Sequence, residues 1–526
     1  MPMSLRELWE QAHAYEMAGN LEAASTVYRR IVGIDTDQPF AWLRLSQMAR
    51  REGAFRDALS YCLQAATAVT RTKRATVLSQ VTQCLLHYDE RELVTRLISQ
   101  AQWTDPVVLQ QSAVLAQHLS LADAHQLSLS LSEHALRFAP ANHLLHFLRG
   151  NALRYLGQLE NATEAYEASI RAAPSFADAH WALSSHEPSR VDIGRTERIA
   201  RELESDRQPP IARAMLNYAL FREYDSMSRI PEAWDSLMRG AGLMKSLQGA
   251  NGFSRDFIQP LSDVMNRLTK LEAGTTRRSG VAEADAPTPV FIVGMPRTGT
   301  TLVERILSNH SLIETLGESN ALRMAVNYVS DSFLPDDYSL DQNSKIDYAK
   351  VAVEYAKRAK GQKREVVLLD KNPMNIILAD VIIAGTPNAK MICLRRGRND
   401  TVFSNVREIF PGGGYEYSYD ISEAVSYTEK MHELMEYVSE QWPGRCLVVD
   451  YEELVVEPER NSLKITEFIG IPHEPGLTDI QANSRPSSTA SSTQIRDPIN
   501  TKGVGSWLRY REFLTPFLEV STRDRF

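Results

Sequence analysis

The chain has 526 residues, 43% apolar and 24% charged, which suits about two to four folded units with sizeable cores. Its 58 Lys and Arg against 66 Asp and Glu leave a formal charge of −8, which speaks against general binding to nucleic acid or to an anionic membrane surface. Four scattered cysteines (Cys62, Cys84, Cys393 and Cys446) have no C-x-x-C spacing, so a disulfide framework and a cysteine zinc site are excluded and a reducing compartment is expected.

The charged, amphipathic start, MPMSLRELWEQAHAYEMAGN, has neither the apolar stretch nor the cleavage site of a signal peptide. The longest nearly apolar run, Ile376–Ala384, contains Asp380 and is far too short for a membrane helix. Together these features predict a cytoplasmic protein without membrane insertion.

The first half repeats itself. Gly19 and Gly53, Ala24 and Ala58, and Pro140 and Pro174 each lie 34 residues apart. Three segments read alike: AGNLEAASTVYRRIVGIDTDQP, EGAFRDALSYCLQAATAV and LGQLENATEAYEASIRAAP, with a fourth copy from Leu216. Each has a helix ended by Gly, a short polar turn and a second helix with Ala on one face. Small residues at a fixed period mark stacked helical hairpins, because Ala lets two helices approach and Gly releases the first into its turn. These segments resemble tetratricopeptide repeats over residues 5–240, more clearly at 5–66 and 130–184 than in between. Repeat arrays of this kind present concave surfaces suited to a peptide or protein partner.

Thr269–Pro289, rich in small, polar, Pro and Gly residues, reads as a linker. It divides an all-α repeat domain at 1–268 from a second domain at 289–526. There Val290–Val293, Glu365–Leu369, Met391–Leu394 and Cys446–Val449 are short apolar runs between helical patterns. The alternation predicts an α/β domain with a mainly parallel sheet.

The segment PVFIVGMPRTGTTLVERILSNH gives a buried strand, a turn at Gly294–Thr301 and an amphipathic helix with Leu302, Val303, Ile306 and Leu307 on one face. Backbone N–H groups and the helix N-terminus there converge on an anion. The turn is a Walker A pattern with Thr300 where the lysine belongs, which argues against a kinase or ATPase. Arg297 offers a bidentate cation instead.

PRTGTTL followed by HSLIETLGES resembles the 5′-phosphosulfate loop of the sulfotransferase family, the tyrosylprotein branch in particular. The resemblance implies 3′-phosphoadenylyl sulfate as donor, bound through Arg297, Thr298, Gly299, Thr300 and Thr301, and no metal. KMICLRRGRNDTVFSN is similar to the family's 3′-phosphate motif, with Arg396 eight residues before Ser404; Arg395 and Arg398 flank the assigned arginine. A dianionic phosphate wants such a guanidinium fork and hydroxyl. VVDYEELVVEPERNSLKITEFIGIP and TKGVGSWLRY resemble two further family stretches, which brings Tyr451, Lys502, Gly503 and Ser506 to the nucleotide.

Sulfuryl transfer needs a base for the acceptor, neutralisation of the leaving phosphate and in-line alignment. Glu318, 21 residues after Arg297 in ETLGESN, matches the family's base, and burial beside an acceptor is expected to raise its pKa. Glu314 is the backup, and a helix-N-terminal carboxylate is the alternative reading of Glu318. Lys371, at the predicted end of a strand in LLDKNPMNI, matches the family's transition-state lysine and shares that role with Arg297. Asp370 reads as a pairing residue and His310 as structural. No metal-ligand spacing is present. The function expected is sulfuryl transfer to an acceptor hydroxyl, with a protein tyrosine favoured over a saccharide or small metabolite. The rival readings are a P-loop kinase or hydrolase, and a repeat-based interaction protein with a degenerate transferase domain.

Overall fold

A recurring left-handed turn writes the repeat into the backbone. A computed structural model describes residues 3–186, 192–205, 208–249, 256–271, 287–341, 343–359, 367–410, 412–483, 485 and 496–518. Positive φ occurs at Gly19, Asp89, Asp123 and Gly157, and at Gly53 between the first two. Five residues after each comes a fully buried position: Ala24, Ala58, Val94, Ser128 and Ala162. The chain turns at the first site, then packs a compact side chain where the next helix presses closest.

The chain forms two compact units. The first comprises the chain to Ala172 together with Met324–Phe333. It contains helices α1 (Leu5–Met17), α2 (Leu21–Ile34), α3 (Pro39–Arg51), α4 (Phe55–Thr72), α5 (Leu78–His87), α6 (Arg91–Ser99), α7 (Pro106–Leu121), α8 (His125–Leu136), α9 (His143–Tyr155) and α10 (Leu159–Ala172). Successive helices pack in pairs, α1 on α2, α3 on α4 and α9 on α10. Phe333, from the later segment of this unit, packs tilted at 5.0 Å between ring centroids against Phe55, and Arg56 pairs with Asp331 at 2.9 Å.

The second unit spans Ala173–Arg323 and Leu334–Phe526. It opens with α11 (Ala177–His186), α12 (Ile193–Glu204), α13 (Pro210–Ser226), α14 (Ile230–Gly249) and α15 (Gln259–Thr269). The compact unit that carries the sheet therefore starts at Ala173, whereas the sequence reading began its second domain at 289. Contacts explain the difference. Tyr218 of α13 donates its hydroxyl to the Val406 carbonyl at 3.2 Å, and Arg267 of α15 forks onto Asp380 with both distances 2.9 Å. Most of the expected linker, 272–286, lies outside the described residues.

Five strands follow: β1 (Thr288–Gly294), β2 (Ile313–Thr315), β3 (Val367–Lys371), β4 (Lys390–Arg395) and β5 (Cys446–Asp450). All pairs are parallel, in the order β2-β3-β1-β4-β5. Helices α16 (Thr300–Leu307), α17 (Ala321–Ser330), α18 (Tyr348–Arg358), α19 (Ala379–Gly385), α20 (Arg398–Val406), α21 (Ile421–Gln441), α22 (Tyr451–Val456) and α23 (Pro458–Ile469) lie among them in sequence. A sheet covered on both faces explains the nearly continuous apolar strands, with Val290, Ile292, Leu369, Ile392 and Leu394 all fully buried. The chain leaves β1 for the β2–β3 side and later returns to β4 on the other. Such a reversal opens a crevice at the carboxyl ends of the strands. No helix among the described residues is long and apolar enough to cross a membrane.

Candidate functional site

The turn from Gly294 to Thr301 is bent at three places. Gly294, Arg297 and Gly299 have φ of 145°, 67° and 99°. Gly299 cannot be replaced freely: a Cβ there would stand 2.7 Å from Cδ2 of Tyr451. One edge of the tyrosine ring thus presses close to the loop backbone, and only a residue without a side chain leaves room for it. Thr298 braces the turn by donating to the Met295 carbonyl at 2.7 Å, and Asn405 of α20 donates to the Pro296 carbonyl at 3.1 Å. Thr300 and Thr301 start α16 and are buried, so the first-turn N–H groups share one polar end.

Arg396 ties this loop to the rest of the site. One guanidinium nitrogen donates to the Arg297 carbonyl at 2.9 Å and to the Ser404 hydroxyl at 3.0 Å, while the other reaches the Gly503 carbonyl. Its carbon sits 4.9 Å above the Tyr451 ring, a cation–π arrangement. The neighbouring arginines are engaged elsewhere. Arg395 forks onto Asp450 at 2.6 and 3.0 Å, and Arg398 pairs with Glu429 at 2.6 Å. Arg396 is thus the one of the three that faces the cavity described next.

That cavity measures about 370 Å³. Arg297, Gly299, Arg396, Tyr451, Lys502, Gly503 and Ser506, all singled out from sequence, line it. Among the described lining residues, five cationic side chains (Arg297, Arg396, Arg407, Lys502 and Arg509) face two carboxylates, Asp225 and Asp497, so the space suits an anion. Burial, with repulsion from Arg297, Arg222 and Arg396, lowers the pKa of Arg407 to about 10. Burial likewise lowers that of Arg297. Burial disfavours the Glu408 carboxylate, yet Arg222, Arg297 and Arg407 outweigh it and hold its pKa below the ordinary value. Ser506 differs from expectation in one respect: its hydroxyl proton goes to Asp400 at 2.8 Å, which also accepts from the Gly505 and Trp507 amides.

A second group forms at the end of β3. Strand β2 pairs with β3 as far as Thr315 and Leu369, and the contact continues as Leu316 donates to the Leu369 carbonyl and Lys371 to that of Gly317. This register sets Glu318 against Lys371, with 2.5 Å between carboxylate and ammonium. Glu304 of α16 approaches the same ammonium at 3.5 Å and accepts from the Thr315 hydroxyl at 2.7 Å. Lys371 is 1% exposed. Burial works against its charge, but the two carboxylates prevail and its pKa is raised. The Glu318 side chain is 52% exposed and ion-paired. Neither Glu318 nor Lys371 lines the cavity; they connect to it through α16 and through the pairing of Lys371 with Ile292, two residues before Gly294.

Asp370 is buried and accepts from Tyr355 and Asn375, each at 3.2 Å, and His310 donates to the Pro472 carbonyl at 2.7 Å. Glu314 sits partly buried within β2. Sequence reasoning missed Glu304, Asp400, Arg407, Glu408 and two residues of α13, Arg222 and Asp225. Glu304 left a trace, a charge inside the apolar helix TLVERIL. The α13 pair left none, because nothing in a repeat pattern announces partners 185 to 285 positions later.

A sequence profile of the sulfotransferase family matches residues 289–475, and one of the tetratricopeptide repeat matches 144–176. An Aquifex aeolicus protein described only as uncharacterized is 26% identical over 384 residues, which cover 70% of this chain and 49% of that one. The chain thus spans about half the length of that relative. A putative protein-tyrosine sulfotransferase of Caenorhabditis briggsae is 26% identical over 259 residues, covering 45% of this chain and 89% of that protein. The sulfotransferase domain of the Synechococcus PCC 7002 olefin synthase, 19% identical, aligns over 46% of this chain and all of its own with a TM-score of 0.31, too loose a likeness to carry an argument. Residues 289–475 are thus similar to the sulfotransferase family, with a segment similar to a tetratricopeptide repeat before them.

Proposed function

We propose that the protein transfers the sulfuryl group of 3′-phosphoadenylyl sulfate to an acceptor hydroxyl and releases adenosine 3′,5′-bisphosphate. The observation that carries this reading is a single cavity walled both by the turn that opens α16 and by Arg396. One nucleotide with an anionic group at each end fits such a pocket. Close backbone approach at Gly299 and Gly503, where a Cβ would collide with Tyr451, lets that tyrosine join the phosphate turn to the Lys502–Ser506 stretch.

In this reading Arg297, Thr298, Gly299, Thr300 and Thr301 hold the 5′-phosphosulfate through helix-end N–H groups and one guanidinium. Arg396 and Ser404 hold the 3′-phosphate. Tyr451, Lys502 and Gly503 border the nucleoside, and Ser506 offers its peptide and oxygen lone pairs. The acceptor oxygen bonds to sulfur as the bond from sulfur to the leaving phosphate oxygen breaks. The hydroxyl proton passes to Glu318, and Lys371 and Arg297 neutralise the phosphate. The raised pKa of Lys371 supports its part, since an ammonium buried this fully would otherwise tend to lose its proton.

A protein tyrosine is the acceptor we favour, on the name of the Caenorhabditis briggsae relative and on the repeat matched at 144–176. Four free thiols accord with a cytoplasmic, reducing setting. The test is transfer from ³⁵S-labelled donor to lysate fractions and tyrosine peptides. Glu318→Gln is expected to lower turnover by about a hundred- to ten-thousandfold while keeping bisphosphate affinity. Unchanged turnover in that variant refutes the base assignment. Stronger thermal stabilisation by ATP with magnesium than by the bisphosphate overturns the donor reading.

A further inference from the structure

Helix α13 presents Tyr218, Arg222 and Asp225 along one face, at the spacing of successive turns. Each reaches a segment of the nucleotide cavity. Tyr218 donates to the Val406 carbonyl at 3.2 Å and Arg222 to Glu408 at 2.9 Å. Asp225 accepts from the Tyr510 hydroxyl at 2.7 Å and pairs with Arg509 at 2.9 Å, while its carbonyl accepts from Arg509 at 3.0 Å. Asp225, Arg509 and Tyr510 all line the cavity.

A carboxylate beside a space for a polyanion repels the ligand unless something neutralises it, and Arg509 does so here. The gain lies in where the clasp sits. The stretch from Lys502 to Ser506 is held at one end by Asp400, which accepts from Gly505, Ser506 and Trp507. Asp225 fastens the chain three to four residues further on, at Arg509 and Tyr510. The Tyr510 ring lies 4.8 Å from Phe403 and 6.0 Å from Phe221, wedged between α20 and α13.

We propose that Asp225 is a positioning residue for donor binding: through Arg509 and Tyr510 it fixes the Lys502–Ser506 stretch against the nucleotide. The helix that carries it reads from sequence as part of the repeat array but belongs to the unit that carries the sheet. This inference rests on the cavity being the donor site.

The test uses the full chain with adenosine 3′,5′-bisphosphate in calorimetry and labelled donor in kinetics. Asp225→Asn and Arg509→Gln are each expected to raise the bisphosphate Kd and the donor KM about five- to tenfold, with kcat at saturating donor changed by less than about twofold. Asp225→Glu is expected to recover most of the loss, and the double variant to be no worse than the weaker-binding single one. Arg509 is half-exposed, so its variant carries the test if Asp225→Asn fails to fold. Wild-type binding with both single variants within about twofold of it overturns this inference alone. A fall in kcat at unchanged KM also overturns it. Absence of bisphosphate binding by the wild type removes the donor reading and this inference with it.

Discussion

Replacing Lys371 by Met tests the second group of residues most sharply. The ammonium is 1% exposed and stands 2.5 Å from Glu318 and 3.5 Å from Glu304. Without it, two carboxylates converge on an apolar tip. Breaking one side of a buried ion pair costs about 3–5 kcal/mol, and we expect about 3 because the half-exposed Glu318 can turn to water. Glu304, 14% exposed, has less freedom. For a unit of this size that is roughly 2 °C per kcal/mol, or a midpoint about 6 °C lower. Adding Glu304→Gln removes the stranded charge and should restore about half of the loss. Turnover at saturating donor should fall about a hundred- to a thousandfold, the effect of deleting one charge-stabilising donor. A pH arm follows from the raised pKa of Lys371, in which the two carboxylates overcome burial. Its contribution to stability is complete below the unfolded lysine value of about 10.4 and is lost as pH climbs above that through the folded value. The wild type should therefore lose midpoint above about pH 10.4, and Lys371→Met should lack that component. Circular-dichroism melts and ³⁵S transfer measure both. A variant melting within about 1 °C of wild type, or turning over within about threefold of it, refutes the reasoning.

Two further substitutions separate strain from contact and one arginine from another. Gly299→Ala adds backbone strain at φ 99° of about 1–2 kcal/mol and drives a methyl to 2.7 Å from Tyr451, so both melting midpoint and bisphosphate affinity should drop. Gly19→Ala meets nothing within 4 Å at φ 72° and should cost strain alone, with affinity intact; equal affinities for the two variants would contradict the packing argument. Arg396→Ala removes charge-assisted bonds of about 1.5–3 kcal/mol and should weaken bisphosphate binding about ten- to a hundredfold by calorimetry. Arg395→Ala, which loses Asp450 and Glu436, should lower the melting midpoint and leave affinity near wild type; the reverse pattern moves the phosphate assignment to Arg395.

The strands, the phosphate turn and the outer hairpins were legible because each depends on local pattern: apolar runs, a Gly-bearing turn, Ala at fixed spacing. The blurred middle of the repeat array has a definite cause. At Asp89 and Asp123 aspartate occupies the left-handed turn that Gly19, Gly53 and Gly157 occupy elsewhere. Aspartate tolerates that conformation because its short polar side chain can bond locally. Val94 and Ser128 then replace the alanine five residues on, both still fully buried. The geometry persisted while the letters changed. At the site, Arg396, Ser404 and the loop were singled out through the family resemblance; the meeting of Glu318 with Lys371 depends on the strand order, which the sequence did not show. The half-exposure of Glu318 could not be read either, since it depends on side-chain packing that no spacing reports. Asp400 and Glu408 escaped for another reason: acidic residues among arginines look like solvated ion pairs until their burial is known.

The charge balance of the cavity binds these parts together. Arg297, Arg396 and Arg407 crowd one wall and Arg222 stands behind Glu408, so like charges meet where water is scarce. The lowered pKa of Arg407, near 10, measures that crowding, with burial as the leading cause and three guanidiniums adding to it. Such an arrangement costs folding free energy and is tolerable only where structure holds it in place and an anionic ligand gains from it. Glu408 is the local counterweight, and what holds Glu408 is Arg222, at 2.9 Å, from a helix the repeat pattern had claimed. Helix α13 is thus part of the same electrostatic unit as the phosphate turn. A fragment beginning at 289 lacks both Arg222 and Asp225, leaving Glu408 one guanidinium short and Arg509 unclasped; one beginning at Ala173 keeps them.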